Sequence, residues 1–122
     1  MPIEIRNIQA HEFIKTTPEG VLDVEASKKL LVEIASASAP SGDYEILLDT
    51  RGAHSELSAE DLWALAAELH TYRTTLSRKA AVLVPPERLD HAEYFARCAK
   101  ERGFQVSAFT SLGDAVGWLF ET

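Results

Sequence analysis

A unit of one buried strand followed by one amphipathic helix occurs three times in the C-terminal two-thirds of this sequence. The strands cover residues 44–49, 79–84 and 104–109, and the helices follow from about residues 58, 87 and 111. Each strand is a nearly continuous apolar run, which is typical of strands covered on both faces. Neighbouring strands joined through a helix run parallel with right-handed crossovers. The repeat therefore predicts an α/β fold with a parallel sheet centre and helices on both faces.

The first third of the chain predicts two more strands and a helix. Residues 2–8 alternate between apolar and polar side chains, as an edge strand does, and residues 11–17 form a second extended stretch. A turn is predicted at 18–20, and Asp23 is a suitable N-cap for a helix from residue 24 to about 39. Residues 1–122 thus predict a single domain, with an antiparallel N-terminal pair of strands, a mixed sheet and about four helices.

Composition and charge exclude several classes of protein. The sequence is 46% hydrophobic and 25% charged, the composition of an ordinary globular domain. It has no run of 18 apolar residues and no apolar leader at its start, so we expect no membrane span and a bacterial, cytoplasmic setting. The net charge of −7 argues against nucleic acid as a partner, since binding phosphates requires clustered Lys and Arg.

No residue set predicts a metal, a cofactor or a disulfide. Cys98 is the only cysteine and is expected to be a small packing residue. The histidines outside the loops, His11, His70 and His91, have no paired spacing suited to a metal. Glycine-rich phosphate-binding motifs are absent after every strand, which argues against nucleotide cofactors.

Three loops follow the carboxyl ends of the parallel strands, where open α/β sheets bind ligands. They cover residues 49–57, 85–88 and 110–111. The first is the longest and most polar, and its candidate binding or regulatory residues are Asp49, Thr50, Arg51, Gly52, His54 and Ser55. One interpretation is an anion held at the following helix N-terminus with Arg51 as its counter-charge. The other is a turn shaped by Asp49 and Gly52, followed by residues that only solvate the loop and cap the helix.

The acid, imidazole and hydroxyl of this loop do not predict a hydrolase. Asp49, His54 and Ser55 are near one another in sequence, whereas a catalytic triad is defined by its geometry. The loop also lacks the Gly-x-Ser-x-Gly turn that exposes a nucleophile. We therefore expect no catalytic residue.

Trp63 and Trp118 each have two interpretations, packing in the core or a surface patch for a partner.

Two stretches resemble a known family. Ile-Leu-Leu-Asp-Thr-Arg-Gly at 46–52 resembles the strand and loop at which anti-anti-sigma factors present a regulatory serine. Residues 109–119 resemble the ending of the SpoIIAA-like (STAS/SEC14-like) branch of STAS domains, with Ala-x-x-Trp-Leu closing the last helix. The order of elements is similar over nearly the whole chain. The resemblance implies a STAS-type fold and a binding surface at the first loop.

The same resemblance implies a regulatory chemistry that this sequence matches only in part. In anti-anti-sigma factors the loop reads Asp-Ser-Ser/Thr-Gly, and a kinase phosphorylates the second hydroxyl residue. Asp49, Thr50 and Gly52 match that pattern, but Arg51 stands at the acceptor position and cannot accept a phosphoryl group. Thr50 and Ser55 are the remaining candidate acceptors.

Three functions follow as hypotheses. The first is a non-catalytic regulatory or interaction module that binds a protein through the 49–58 loop and the helix behind it. The second is a small-ligand domain that holds an anion or a lipid between the sheet ends and a helix, which requires an apolar cavity of several hundred cubic ångströms. The third, an enzyme, lacks a convergent set of catalytic residues, and we do not expect it. A homodimer formed through an edge strand or the Trp118 helix is compatible with all three hypotheses.

Overall fold

The computed structural model describes residues 4–10, 13–38, 45–72 and 78–121. The strands are β1 Glu4–Ala10, β2 Phe13–Leu22, β3 Glu45–Asp49, β4 Ala53–Ser55, β5 Ala80–Leu83 and β6 Val106–Phe109. The helices are α1 Val24–Ser38, α2 Ala59–Glu68, α3 Leu89–Glu101 and α4 Leu112–Leu119. Short 3-10 turns extend α2 through Leu69–Tyr72 and precede α3 at Pro86–Arg88. Residues 2 and 3, His11 and Tyr44, which the sequence analysis assigned to strands or considered as ligands, lie outside the described residues.

Five strands form the main sheet in the order β1-β2-β3-β5-β6. β1 and β2 pair antiparallel, with Ile8 opposite Lys15. The other neighbours, β2–β3, β3–β5 and β5–β6, all pair parallel. The predicted α/β fold, with a parallel centre, an antiparallel N-terminal pair and four helices, is confirmed.

The N-terminal pair differs from the sequence prediction at the predicted turn over 18–20, which was wrong. β2 continues to Leu22, because its first part pairs with β1 and its last three residues pair with β4. Pro18 is tolerated inside this strand because β2 pairs with β3 only as far as Thr16, so no donor is needed on that side. Gly20 has a φ of 108°, so the glycine signal marks a local change of direction and not the end of the strand.

Helices cover both faces of the sheet unequally. Every crossover steps in the same direction across the sheet, so right-handed connections place α1, α2 and α3 on one face. On that face Ile46 packs with α1, in a cluster that also contains Leu48. The intervening Leu47 packs against α4 on the opposite face. The two-residue period of β3 thus distributes its apolar side chains between two cores, which explains why the strand shows no alternation in sequence.

Capping residues fix where the helices begin and end. Asp23 Oδ1 accepts a hydrogen bond of 2.8 Å from the amide of Ala26 at the start of α1. Ser58 and Asp61 form a reciprocal capping box at the start of α2, with bonds of 3.1 and 2.9 Å. Gly103, with a φ of 92°, ends α3. The N-termini of α1 and α2 lie at the edge of the sheet where the parallel strands end. The candidate site is at this edge.

Candidate functional site

Asp49 is the last residue of β3, and its carboxylate is bound by two cationic side chains at the strand end. Arg51 donates from Nε to Oδ1 at 3.0 Å and from Nη2 to Oδ2 at 2.9 Å, and its backbone amide donates to Oδ1 at 3.1 Å. Lys15 of β2 places Nζ 3.9 Å from Oδ2. A bidentate Arg–carboxylate pair fixes both the position and the orientation of the two side chains. Asp49 therefore anchors the start of the loop.

The pKa of Asp49 is lower than its ordinary value as the result of opposing effects. Burial, the largest single effect, raises the pKa because the residue is only 6% exposed. The hydrogen bonds and charge of Arg51, with the charge of Lys15, together outweigh burial and lower it. The same hydrogen bond to Asp49 raises the pKa of Arg51. The carboxylate is thus ionised and already neutralised by its own neighbours.

Thr50 is fully engaged within the fold. Its amide and its hydroxyl both donate to the carbonyl of Leu83 at the end of β5, at 2.8 and 3.0 Å. Its own carbonyl accepts from the amide of Ala53 at 3.0 Å. The residue is 4% exposed. In this conformation the hydroxyl ties β3 to β5 and is not presented to a kinase.

Arg88 holds the same loop from the neighbouring strand end, and the sequence analysis did not single it out. Its Nη2 donates to the carbonyl of Thr50 at 2.6 Å and to the carbonyl of Ala53 at 3.0 Å. Burial lowers the pKa of this guanidinium, an effect that the nearby charge of Glu87 opposes. The only sequence signal was its place in the 85–88 loop, since the ends of adjacent parallel strands meet at one edge.

The other candidates of the first loop lie farther along it. Gly52 is exposed, has an ordinary φ, and has no atom within 4 Å of where a Cβ would stand. His54 is exposed on β4, and Ser55 at the end of β4 is half-buried with Oγ accepting from the amide of Leu57 at 3.3 Å. Among the described residues, neither His54 nor Ser55 bonds to Asp49. The structure therefore brings Asp49, Thr50 and Arg51 together and leaves His54 and Ser55 apart from that cluster.

The two tryptophans lie on opposite faces of the sheet. Trp63 on α2 is 53% exposed, and the guanidinium of Arg102 lies 5.0 Å from its ring centroid. Trp118 on α4 is half-buried against Phe109, with ring centroids 5.7 Å apart, and Lys79 Nζ lies 5.1 Å from its ring. Trp118 therefore packs mainly against the sheet, while Trp63 presents an exposed aromatic surface on α2.

A cavity lies beneath α1, α2 and α3 where the parallel strands end. Its volume is about 120 Å³, and it is partly open to solvent. Most of its lining is aliphatic or aromatic, and Thr50, Ser55 and Arg88 of the loop region also line it. The cavity is smaller than the several hundred cubic ångströms that a lipid site requires.

The described residues contain no group of three or more His, Cys, Asp and Glu side chains that could hold a metal ion. Cys98 is a buried free thiol. None of the described helices has the length and apolar character needed to cross a membrane.

Comparison with known proteins shows similarity in structure only. No protein-family model matches the sequence, and no curated protein matches it significantly. An uncharacterised Shewanella loihica protein of the DUF3478 family, described as having a SpoIIAA-like fold, is 19% identical with a TM-score of 0.62, covering 96% of this chain and 93% of its own. An anti-sigma factor antagonist from Mycobacterium paratuberculosis is 13% identical with a TM-score of 0.65, covering 98% and 96%. The anti-sigma factor antagonist SpoIIAA in its unphosphorylated form is 12% identical with a TM-score of 0.56, covering 98% and 100%.

These matches extend over nearly the full length of both partners in each pair. The chain therefore has the SpoIIAA-like fold, and the resemblance found in residues 46–52 and 109–119 is confirmed at the level of fold. Identities this low carry no residue roles from one protein to another, because one fold serves many functions.

Proposed function

We propose that this protein is a non-catalytic regulatory module that binds a protein partner through the 49–58 loop and the exposed side of α2. The observation that carries the proposal is the fixed presentation of Arg51. Its backbone and side chain are held by Asp49, yet its side chain remains 43% exposed at the end of the central strand. A positioned, partly exposed guanidinium is typical of residues that dominate binding interfaces.

The surroundings of Arg51 support a preorganised binding surface. Thr50 is bonded to β5, and Arg88 holds two carbonyls of the same loop. A loop held in one conformation loses little entropy when it binds. The exposed ring of Trp63 lies on the helix that follows, and aromatic and Arg side chains together are enriched in interface hot spots. Two structures of the same fold are anti-sigma factor antagonists by name, which favours a protein partner for this chain as well.

In this proposal Arg51 provides a permanent positive charge. It stands at the position where the loop of anti-anti-sigma factors has a hydroxyl that can be phosphorylated. We propose a partner that presents carboxylates to this position. If the module is switched by phosphorylation, Ser55 is the acceptor that we propose, because the Thr50 hydroxyl is buried and bonded to Leu83. A phosphate on Ser55 would add about 1.5 to 2 negative charges within the same loop and oppose such a partner.

The proposal also covers catalytic activity and the location of the protein in the cell. We assign no catalytic role, because the only buried carboxylate of the loop, Asp49, is neutralised by Arg51 and Lys15 and has no free base beside it among the described residues. We propose a bacterial, cytoplasmic setting, in keeping with the Shewanella and Mycobacterium sources of two similar structures.

The test is an affinity capture from a lysate of the source cells with three matched baits. Wild type is compared with Arg51→Ala combined with Ser55→Ala, and with Arg97→Ala, which removes an exposed cation on α3 far along the chain from the loop. We expect at least one protein to be captured by wild type and by Arg97→Ala but reduced about tenfold or more by the loop variant. Retention of every captured protein by the loop variant would contradict the proposal.

A second copy of the chain is the alternative protein partner. Light scattering on the purified protein separates a dimer from a monomer. A dimer that dissociates in the Arg51→Ala and Ser55→Ala variant would identify the partner as the chain itself, while a dimer unaffected by that variant would use another surface.

A further inference from the structure

β6 is one of the two edge strands of the main sheet. It pairs with β5, and no other strand in the described part of the chain pairs with it. Proteins commonly protect such edges with charged residues, prolines or bulges. β1, at the opposite edge, contains Glu4 and Arg6. By contrast, residues 103–113, which include all of β6, contain no proline and are the longest stretch of the chain without a charged residue. β6 therefore lacks the features that keep an edge strand from pairing.

The backbone groups on the open side of β6 can be identified from its pairing with β5. The carbonyls of Gln105 and Phe109 accept hydrogen bonds of 2.8 and 2.9 Å from β5 amides. Because the backbone groups of successive residues in a strand point to opposite sides, those of Val106 and Ala108 point away from β5. β6 therefore presents two N–H donors and two carbonyl acceptors at its open edge.

A second copy of β6 fits this edge when it runs antiparallel about a twofold axis at Ser107. In that register Val106 of each copy lies opposite Ala108 of the other, and each such pair exchanges two hydrogen bonds. Ser107 lies opposite its own copy in the close pair at the centre, where its small side chain lets the two backbones approach. A contact of this isologous kind satisfies all four open groups of each copy at once.

Charges on α3 complement one another about the same axis. Glu93 and Lys100 are exposed, and their separation of two helical turns places them on one side of α3. Arg102 lies on the other side, where it contacts Trp63 of α2, so the two charges are on the side of the open edge. α3 runs antiparallel to β6. With a rise of about 1.5 Å per helical residue and about 3.3 Å per strand residue, its midpoint between the two charges lies level with Ser107. The axis therefore brings Glu93 of one copy toward Lys100 of the other.

We propose that the chain forms a homodimer in which two β6 strands pair antiparallel about Ser107 and join the two sheets into one. A second copy is favoured over an unrelated segment because the open edge and the charges beside it are complementary to themselves. The interface uses none of the residues 49–58. The dimer should therefore persist in the variant that combines Arg51→Ala with Ser55→Ala, whether or not that loop binds a partner.

The test measures the oligomeric state by sedimentation velocity over a wide range of protein concentration. We expect wild type to form a dimer, and Ser107→Lys and Ser107→Glu each to raise its dissociation constant about tenfold or more. Each variant places two like charges directly opposite each other at the axis. An equimolar mixture of the two variants should form a heterodimer, since opposite charges then meet. Ser36→Lys, on an exposed serine of α1, is the control and should leave the dimer unchanged.

Amide hydrogen exchange in wild type locates the interface without any substitution. The amides of Val106 and Ala108 should exchange about tenfold more slowly in concentrated than in dilute protein, because the dimer protects them. The amide of Ser107 points toward β5 and should exchange at the same rate in both. Ala108→Pro removes one outward donor from each copy and leaves the pairing with β5 intact, so it should weaken the dimer about tenfold.

Three results would overturn the proposal. The first is a wild-type protein that stays monomeric at every concentration. The second is a dimer in which the exchange of Val106 and Ala108 does not depend on concentration, since that dimer would use another surface. The third is a dimer that Ser107→Lys and Ser107→Glu leave unchanged. Because the exchange comparison uses only wild type, it decides the question even if a variant of β6 fails to fold.

Discussion

Asp49 holds a charge that the fold has largely removed from water and then neutralised with Arg51 and Lys15. Because its pKa in the folded protein lies below its value in the unfolded chain, ionised Asp49 stabilises the fold. That contribution is complete above the unfolded value and is lost as the pH falls through the folded pKa. Asp49 thus makes the protein less stable in acid.

We expect Asp49→Asn to lower the free energy of unfolding at neutral pH by about 1–3 kcal/mol, since an amide cannot replace the charged hydrogen bonds to Arg51. We expect the loss to shrink as the pH falls below the ordinary pKa of an aspartate and through the lower pKa of folded Asp49, where wild type becomes protonated as well. Urea unfolding at a series of pH values measures both effects. Asp90→Asn, on an exposed residue of α3, is the control. Parallel pH profiles for wild type and Asp49→Asn would contradict this account.

The glycines Gly52 and Gly103 form a matched pair for a second test. Gly52 has an ordinary φ and open space around it, whereas Gly103 has a φ of 92° at the end of α3. We expect Gly52→Ala to change the free energy of unfolding by less than about 0.5 kcal/mol and Gly103→Ala to lower it by about 1 kcal/mol. Thermal unfolding of the two variants side by side measures the difference. A larger loss for Gly52→Ala would mean that the loop needs a glycine for its conformation.

Among the elements, α2 connects the 49–58 loop to the core, so its first turn is where loop and helix stabilise each other. Ser58 and Asp61 exchange two hydrogen bonds there, while Ser111 of α4 accepts one longer bond of 3.4 Å from Asp114. We expect Ser58→Ala to lower the free energy of unfolding by about 1 kcal/mol and Ser111→Ala by less. Chemical denaturation of both variants tests this order. Equal losses would show that the bond accepted by the Ser58 hydroxyl contributes no more than the longer one accepted by Ser111.

Elements with local signals were predictable from the sequence, and those set by distant pairing were not. The N-cap predicted at Asp23 and the helix start predicted at about residue 58 depend on neighbours within a few residues, and both are confirmed. The extension of β2 through Pro18 depends on pairing with β1 and β4. β4 itself has three residues and no hydrophobic pattern, so it becomes a strand only because β2 lies beside it.

The same distinction applies to the candidate site. Its location followed from topology, because parallel strands end at one edge of the sheet whatever their side chains are. The bond of Arg88 to Thr50 joins residues 38 positions apart and has no sequence signature. Likewise, the accessibility of Ser55 compared with Thr50 depends on a hydrogen bond to Leu83 that only the fold creates.

At the scale of the whole molecule, Arg88 joins two features that are otherwise separate. It lines the cavity, and it holds the carbonyls of Thr50 and Ala53 in the proposed binding loop. A change at Arg88 therefore affects the cavity and the loop together. The chain thus contains a direct physical connection between a cavity and a surface.

This connection predicts a change in loop dynamics when the guanidinium is removed. We expect Arg88→Met to increase hydrogen exchange at the amide of Ala53, which donates to the Thr50 carbonyl, by about tenfold, because charge-assisted bonds to neutral acceptors contribute about 1.5–3 kcal/mol. Arg97→Met, which removes an exposed cation of α3, should leave that exchange unchanged. Native-state exchange followed by NMR measures both. If Ala53 exchanges at the same rate in wild type and Arg88→Met, the loop is held by Asp49 and Thr50 alone, and the cavity has no route to the surface through Arg88.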